Sequence, residues 1–253
     1  MTHYAGLRAA VIGGTHGMGW ATARALLDGG ARVLVTGRNA HNVDQAQATL
    51  GEGATVIRSD IAHLPDIDAL GRQVEQGLGP LDAVFIFAGI ADLAPFDQVS
   101  EASFDRHFDI NTKGVYFTVQ RLAPHVREGG SITLTTVTPA TATPGMSVYM
   151  GTKAAVGAFA RSFAAELLPR RIRVNAIAPG FIDTPSLGLA GLTPEQRLEM
   201  SALGDAITPM QRHGTMDEIA RAALFLGFDA TFSTGIELAV DGGLSTVDPP
   251  QPA

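Results

Sequence analysis

The stretch Ala9-Ala10-Val11-Ile12-Gly13-Gly14-Thr15-His16-Gly17-Met18-Gly19-Trp20-Ala21-Thr22-Ala23 decides how the chain is read. Four successive apolar residues have the form of a buried strand, and the residues from about 18 to 28 carry apolar positions at helical spacing. Between them lies Gly-x-x-x-Gly-x-Gly. Glycines permit a tight turn and let backbone N–H groups at a helix start approach an anion closely. In this strand–turn–helix setting, Gly13, Thr15, His16, Gly17, Met18 and Gly19 form a variant of the fingerprint that cradles a dinucleotide pyrophosphate. The alternative is a turn with a structural role only. No Gly-Lys-Ser/Thr follows, which disfavours a nucleotide-triphosphate loop.

The same alternation continues outward. Short apolar runs recur at 32–36, 55–57, 81–86, 131–135, 173–177 and 235–240, and segments of helical spacing at 39–49, 66–77, 101–126, 149–168 and 216–227. Strands of nearly continuous apolar character alternating with helices predict an α/β fold, a parallel sheet covered on both faces. No linker is evident, so residues 1–253 are read as one domain. The stretch from Thr184 to His213 has no clear strand but has a helix start, with Thr193 as cap, Pro194 at the first position and Glu195 in the first turn. Its place beside strand ends predicts a substrate lid, against a plain surface excursion.

Composition narrows the classes. The chain has 253 residues, 25 acidic against 18 basic, a formal net charge of -7 and 45% hydrophobic residues. That is not a disordered composition, and its acidic balance argues against nucleic-acid and anionic-membrane partners. With no Cys, disulfides and thiolate chemistry are excluded, and the seven His show no zinc-site spacing. There is no signal-peptide pattern and no run of 18 apolar residues, so a soluble cytoplasmic protein is expected. Of the 18 basic residues only Lys113 and Lys153 are lysines.

The second strand ends Thr36-Gly37-Arg38-Asn39, where an acidic residue would favour NAD. The Arg38 guanidinium suits a 2′-phosphate instead, so NADP is preferred over NAD; otherwise Arg38 is a solvated helix-start residue. His16 adds positive character to the turn if protonated. Tyr149 and Lys153 are four apart and open a helix, which places them one turn apart on one face. A neighbouring ammonium favours a phenolate and brings a phenol into acid–base range. Such spacing also occurs as ordinary helix decoration.

Together with the glycine turn and Tyr-x-x-x-Lys, Asn111 in Asp109-Ile110-Asn111-Thr112-Lys113-Gly114, Pro179-Gly180 and Val240-Asp241-Gly242-Gly243 stand in family order. Over residues 6 to 247 the sequence resembles the short-chain dehydrogenase/reductase family. The resemblance implies a three-layer αβα Rossmann fold with a seven-stranded, mainly parallel sheet. It also implies a homotetramer and hydride transfer between NAD(P) and a small-molecule carbonyl or alcohol. Tyr149 would be the proton donor in reduction and the base in oxidation. Lys153 would bind the nicotinamide ribose and lower the Tyr149 pKa, and Asn111 would hold a water in a proton relay. Asp60 and Ile61 would contact adenine, Ala88 and Gly89 the adenosine ribose. Pro179, Gly180, Ile182 and Thr184 would form the nicotinamide end. The long segments 101–126 and 149–168 correspond to the family's dimer helices.

Two departures stand out. Thr136 occupies the place of the substrate-orienting serine, 13 residues before Tyr149; it keeps the hydroxyl, and Thr138 is a second candidate. The fourth strand ends Ile86-Phe87-Ala88-Gly89, where the family has two asparagines before Ala-Gly. A catalytically weak dinucleotide-binding protein is therefore the alternative to an oxidoreductase. The expected pocket wall comprises Asp92, Leu93, residues 139–146, Phe181 and residues 186–210. It is apolar, with Arg197 and Arg212 the only basic residues from 186 through 212, and predicts a neutral, fairly apolar ketone or secondary alcohol.

Overall fold

The computed structural model describes residues 3–138, 143–185 and 193–248. The elements begin with strand β1 (Arg8–Ile12), helix α1 (Gly17–Asp28), β2 (Arg32–Gly37), α2 (Ala40–Leu50), β3 (Ala54–Arg58), α3 (Leu64–Gln73) and β4 (Leu81–Ile86). Then come α4 (Glu101–Phe108), a π-helical segment Asp109–Gly114, α5 (Val115–Leu122), β5 (Val126–Thr135), α6 (Ser147–Leu167) and β6 (Arg173–Pro179). The rest are β7 (Ile182–Asp183), α7 (Pro194–Ile207), β8 (Gly214–Thr215), α8 (Met216–Leu224) and β9 (Glu237–Val240).

The seven-stranded sheet runs β3-β2-β1-β4-β5-β6-β9, every pair parallel. Alternation along each strand builds the layers. Ala10 and Ile12 of β1, with Val84 and Ile86 of β4, face a core that includes Ile67, Leu70, Val119 and Val156 of α3, α5 and α6. Ala9, Val11, Ala83 and Phe85 face the opposite core, which includes Leu26 of α1 and Ile219 of α8. Burying each large aliphatic or aromatic side chain stabilises the fold by about 1.5–3 kcal/mol, so both sheet faces must stay covered. The expected three-layer α/β/α arrangement is what forms.

Two features place the site. β1 connects towards β2 and β4 towards β5, so a crevice opens where the strand order reverses, at the carboxyl ends of β1 and β4. The 184–213 stretch is framed by a short parallel pair, β7 with β8 (Ile182 opposite Gly214, Asp183 opposite Thr215), which sequence periodicity did not reveal. Its helix starts as read: the Thr193 side chain accepts from the Gln196 N–H and Gln196 reaches back to Thr193. Residues 139–142 of the expected pocket wall and 186–192 of the expected lid lie outside the described residues.

Candidate active site

The glycine turn lies at the carboxyl end of β1. Gly13 has φ +79°, and a Cβ there would stand 2.6 Å from the Ala88 nitrogen, so the backbones of β1 and β4 meet only without a side chain. His16 precedes α1 without capping it through its side chain. The first-turn N–H groups of α1 thus face the crevice without that partner, as an anion requires. The crevice holds a cavity of about 320 Å³ lined by Gly13, Thr15, His16, Gly17, Met18, Gly19, Arg38, Asp60, Ile61, Ala88, Gly89 and Thr184. Sequence reading missed Asn42, Ser59 and the apolar floor Ile67, Leu70 and Ile110. Nothing distinguishes these floor residues in sequence from other buried aliphatics.

A second cavity of about 160 Å³ shares Met18, Phe87, Gly89, Ile90 and Thr184 with the first. Thr136, Tyr149, Lys153, Pro179, Gly180 and Ile182 line it. Every expected cofactor residue therefore belongs to one continuous groove. The Thr184 hydroxyl is buried without a hydrogen-bond partner beside that groove. Together with the open first turn of α1 and the glycine turn that lines the groove, it fits a dinucleotide carrying a polar amide at this end.

Lys153 is buried and its Nζ donates to the Thr135 carbonyl at 2.9 Å, 6.0 Å from the Tyr149 ring centroid. Burial pushes the Lys153 ammonium down to about 8 and the Tyr149 phenol up to about 12. The expected lowering of the Tyr149 pKa is thus not what the protein alone produces. Desolvation, which disfavours the phenolate, outweighs an ammonium at this distance.

Asn111 is fully buried in the π segment. Its Oδ1 accepts from the Ile90 N–H at 2.8 Å, and its Nδ2 donates to the Ile90 carbonyl at 2.9 Å and to the Thr152 hydroxyl at 3.1 Å. Thr152 in turn donates to the Tyr149 carbonyl at 2.7 Å. Both amide hydrogens are used, so the Asn111 side chain ties the loop after β4 to the first turn of α6 and has no N–H left for a relay water.

Thr136 reaches the cavity, but its hydroxyl donates to the Ile177 carbonyl at 3.2 Å, and Thr138 donates to Ala178 and Asp241. Neither hydroxyl hydrogen is aimed at Tyr149. Ile86 is buried between Ile12 and Leu134, and Phe87 lines both cavities, so apolar packing replaces the two amides. Partial desolvation lowers the His16 pKa, so His16 brings no fixed charge at neutrality, contrary to the reading of added positive character. Arg38 is then the one cation lining the first cavity among the described residues, with Asp60 4.0 Å away.

The comparisons agree with this geometry. Residues 13–245 match the family model described as enoyl-(acyl carrier protein) reductase. An oxidoreductase of Sarocladium schorii is 35% identical over 96% of this chain and 97% of its own. The L-fucose dehydrogenase of Oryctolagus cuniculus is 33% identical over 95% of this chain and 85% of its own. The crystal structure of a dehydrogenase/reductase from Sinorhizobium meliloti 1021 superposes with TM-score 0.83 at 30% identity, over 97% of this chain and 98% of that one. The short-chain dehydrogenase/reductase SDR:glucose/ribitol dehydrogenase from Brucella melitensis gives TM-score 0.88 at 27% identity, over 97% and 99%.

The chain belongs to the short-chain dehydrogenase/reductase family. It is an oxidoreductase of that family's general type, transferring hydride between a nicotinamide dinucleotide and a carbonyl or alcohol. Among the described residues no helix is long and apolar enough to cross a membrane, and no group of three or more metal-ligating side chains is present.

Proposed function

We propose that this family member is an NADP-dependent reductase or dehydrogenase acting on a small or medium, neutral, fairly apolar ketone or secondary alcohol. The carrying observation is that Tyr149 and Lys153 share one small cavity that runs directly into the groove holding the glycine turn and Arg38. The dinucleotide, when bound, supplies or accepts the hydride. Gly13, the first turn of α1 and Arg38 hold its phosphates; Asp60 and Ile61 hold adenine, and Thr184 holds the nicotinamide amide. A phenol held near 12 is fully protonated at neutrality and ready to give its proton to a carbonyl oxygen. Lys153, held near 8, is charged at pH 7 yet able to pass a proton on, and Asn111 fixes the turn that carries Tyr149. Thr136 polarises the carbonyl once its hydroxyl turns from Ile177.

The described wall favours a neutral substrate. The expected wall residues Leu93 and Phe181 line neither of the two cavities. Met18, Phe87, Ile90, Ala91, Pro179 and Ile182 supply apolar lining to the second, and its one cation among the described residues is Lys153, engaged with the Thr135 carbonyl. No cation is left there for the phosphate of an acyl carrier, the substrate type named in the matched family description.

A carbonyl and alcohol panel run with both cofactors, followed by nicotinamide absorbance, tests the reading. Turnover should favour NADP(H), and Tyr149→Phe should lower kcat by about 10²–10⁴-fold while leaving cofactor affinity intact. Arg38→Leu should weaken NADPH binding by about 10–100-fold and NADH binding little, since one charge-assisted contact is lost. Full activity in Tyr149→Phe rejects the assignment. A weakly active dinucleotide-binding protein is the second reading, favoured by the engaged Thr136 hydroxyl; cofactor binding with no turnover across the panel would select it.

A cytoplasmic homotetramer is the assembly that fits. Phe104 and Phe108 stack at 4.6 Å on α4, with Phe104 exposed, while Phe225, Phe232 and Ile236 lie exposed around α8 and β9. Apolar surface of this kind is what an oligomer covers.

A further inference from the structure

His107 is a buried titratable side chain that the proposed chemistry does not use. It is 1% exposed on the last turn of α4, one turn before Asn111. Its Nδ1 lies 2.7 Å from the Ser103 carbonyl, and its Nε2 accepts from the Asp92 backbone N–H at 3.0 Å. A carbonyl only accepts and an amide N–H only donates, so the two partners leave a single arrangement: a neutral imidazole with its proton on Nδ1.

The residue it grips belongs to the stretch between β4 and α4. Gly89, Ile90 and Ala91 of that stretch line the cavity shared with Tyr149 and Lys153. Asn111 brackets Ile90 through both its N–H and its carbonyl. Two residues on, Asp92 is held by its backbone to His107 and by its carboxylate to Arg106 Nη2 at 3.0 Å. Both clamps come from consecutive turns of one helical segment. They act on the strand end where Ile86 and Phe87 bring no side-chain amides.

We propose that His107 is a positioning residue: with Asn111 it holds Gly89–Asp92 as a rigid wall of the reaction cavity. The inference rests on the function proposed for that site. The imidazole touches neither cofactor nor substrate; it acts through the Asp92 backbone. Losing its Nε2 acceptor leaves a part-buried N–H without its partner, which frees the end of the wall and blurs the alignment of the reacting carbon with the nicotinamide.

Three substitutions separate this from a packing role. His107→Gln keeps an acceptor near the Nε2 position, His107→Asn keeps a donor near Nδ1 for Ser103 but loses Asp92, and His107→Leu loses both. Hydrogen–deuterium exchange across residues 88–95 of the full-length protein should rise about tenfold in the Asn and Leu variants and stay near wild type in the Gln variant. Ketone reduction should follow the same order, with kcat falling about tenfold in Asn and Leu and the NADPH Kd changing less than about threefold. Exchange that is unchanged in His107→Asn, or raised equally in His107→Gln, overturns the clamp. Raised exchange with unchanged kcat overturns its role in the reaction. The exchange readout needs no turnover, so a wild-type protein that turns over neither a carbonyl nor an alcohol of the panel defeats the proposed function while exchange alone still judges the clamp.

Discussion

At the residue scale, the pair that carries the chemistry is also a source of instability. The Lys153 ammonium is buried with one carbonyl for a partner, and its pKa falls from 10.5 to about 8. Between those values the unfolded chain binds more protons than the folded one, so this residue makes stability rise with pH; below about 8 the full cost of the buried charge remains. Lys153→Met should therefore stabilise the cofactor-free protein at pH 7 by about 1–2 kcal/mol, after allowing for the donor lost by Thr135. The gain should shrink as pH rises towards 9.5. Tyr149 contributes with the opposite sign only above pH 10, where the unfolded phenol ionises first. Urea unfolding at pH 7 and 9.5 checks this: equal or lower stability for Lys153→Met at pH 7 contradicts it. The same variant should have no measurable turnover. The sequence rarity of lysine pointed to Lys153, but the direction of both shifts depended on burial, which spacing in a helix does not report.

At the element scale, the segment read as one helix over 101–126 is helical throughout but not uniform. It runs from α4 through a π turn over Asp109–Gly114 into α5 and a short 3-10 turn, and the wider π turn carries Asn111, whose amide brackets Ile90 in the loop after β4. Apolar periodicity continues through such a turn, so the widening was invisible in sequence. Gly114 was read only as a motif neighbour, yet it ends the π turn against Ile61, where an added Cβ would lie 2.3 Å from the Ile61 carbonyl. Gly114→Ala must push that helix from the adenine wall. It should destabilise the protein by about 1–3 kcal/mol and weaken dinucleotide binding, because overpacking leaves no relaxed rotamer to absorb the methyl group. Thermal unfolding and a cofactor titration measure both effects; wild-type values in each would show that the contact relaxes freely. The short strands β7 and β8 escaped notice because two residues carry no period. They anchor the turn bearing Thr184 to the base of α8, and Arg197 of α7 holds the same turn through its carbonyls.

At the scale of the whole molecule, the exposed rings on α4 and around β9 predict association. Light scattering should give four times 26.4 kDa, and Phe232→Asp should shift the mass to a smaller species without altering the far-UV spectrum. A monomeric wild type would remove this assembly. The alternation of apolar runs with amphipathic segments, together with the glycine turn, determined the layered fold, because strands buried on both faces and helices of matching length have few other ways to cover their apolar surface. The sequence by itself also pointed to many of the residues that meet in the groove, though not to its apolar floor, since strand ends at a reversal of strand order converge wherever that fold forms. Only the tertiary structure decided how those residues are held. The Thr136 hydroxyl turns to Ile177, the Asn111 amide is consumed by Ile90 and Thr152, and His107 is locked on Asp92. Each of these is a hydrogen bond between residues far apart in the chain, set by distances of a few ångströms that no local pattern encodes.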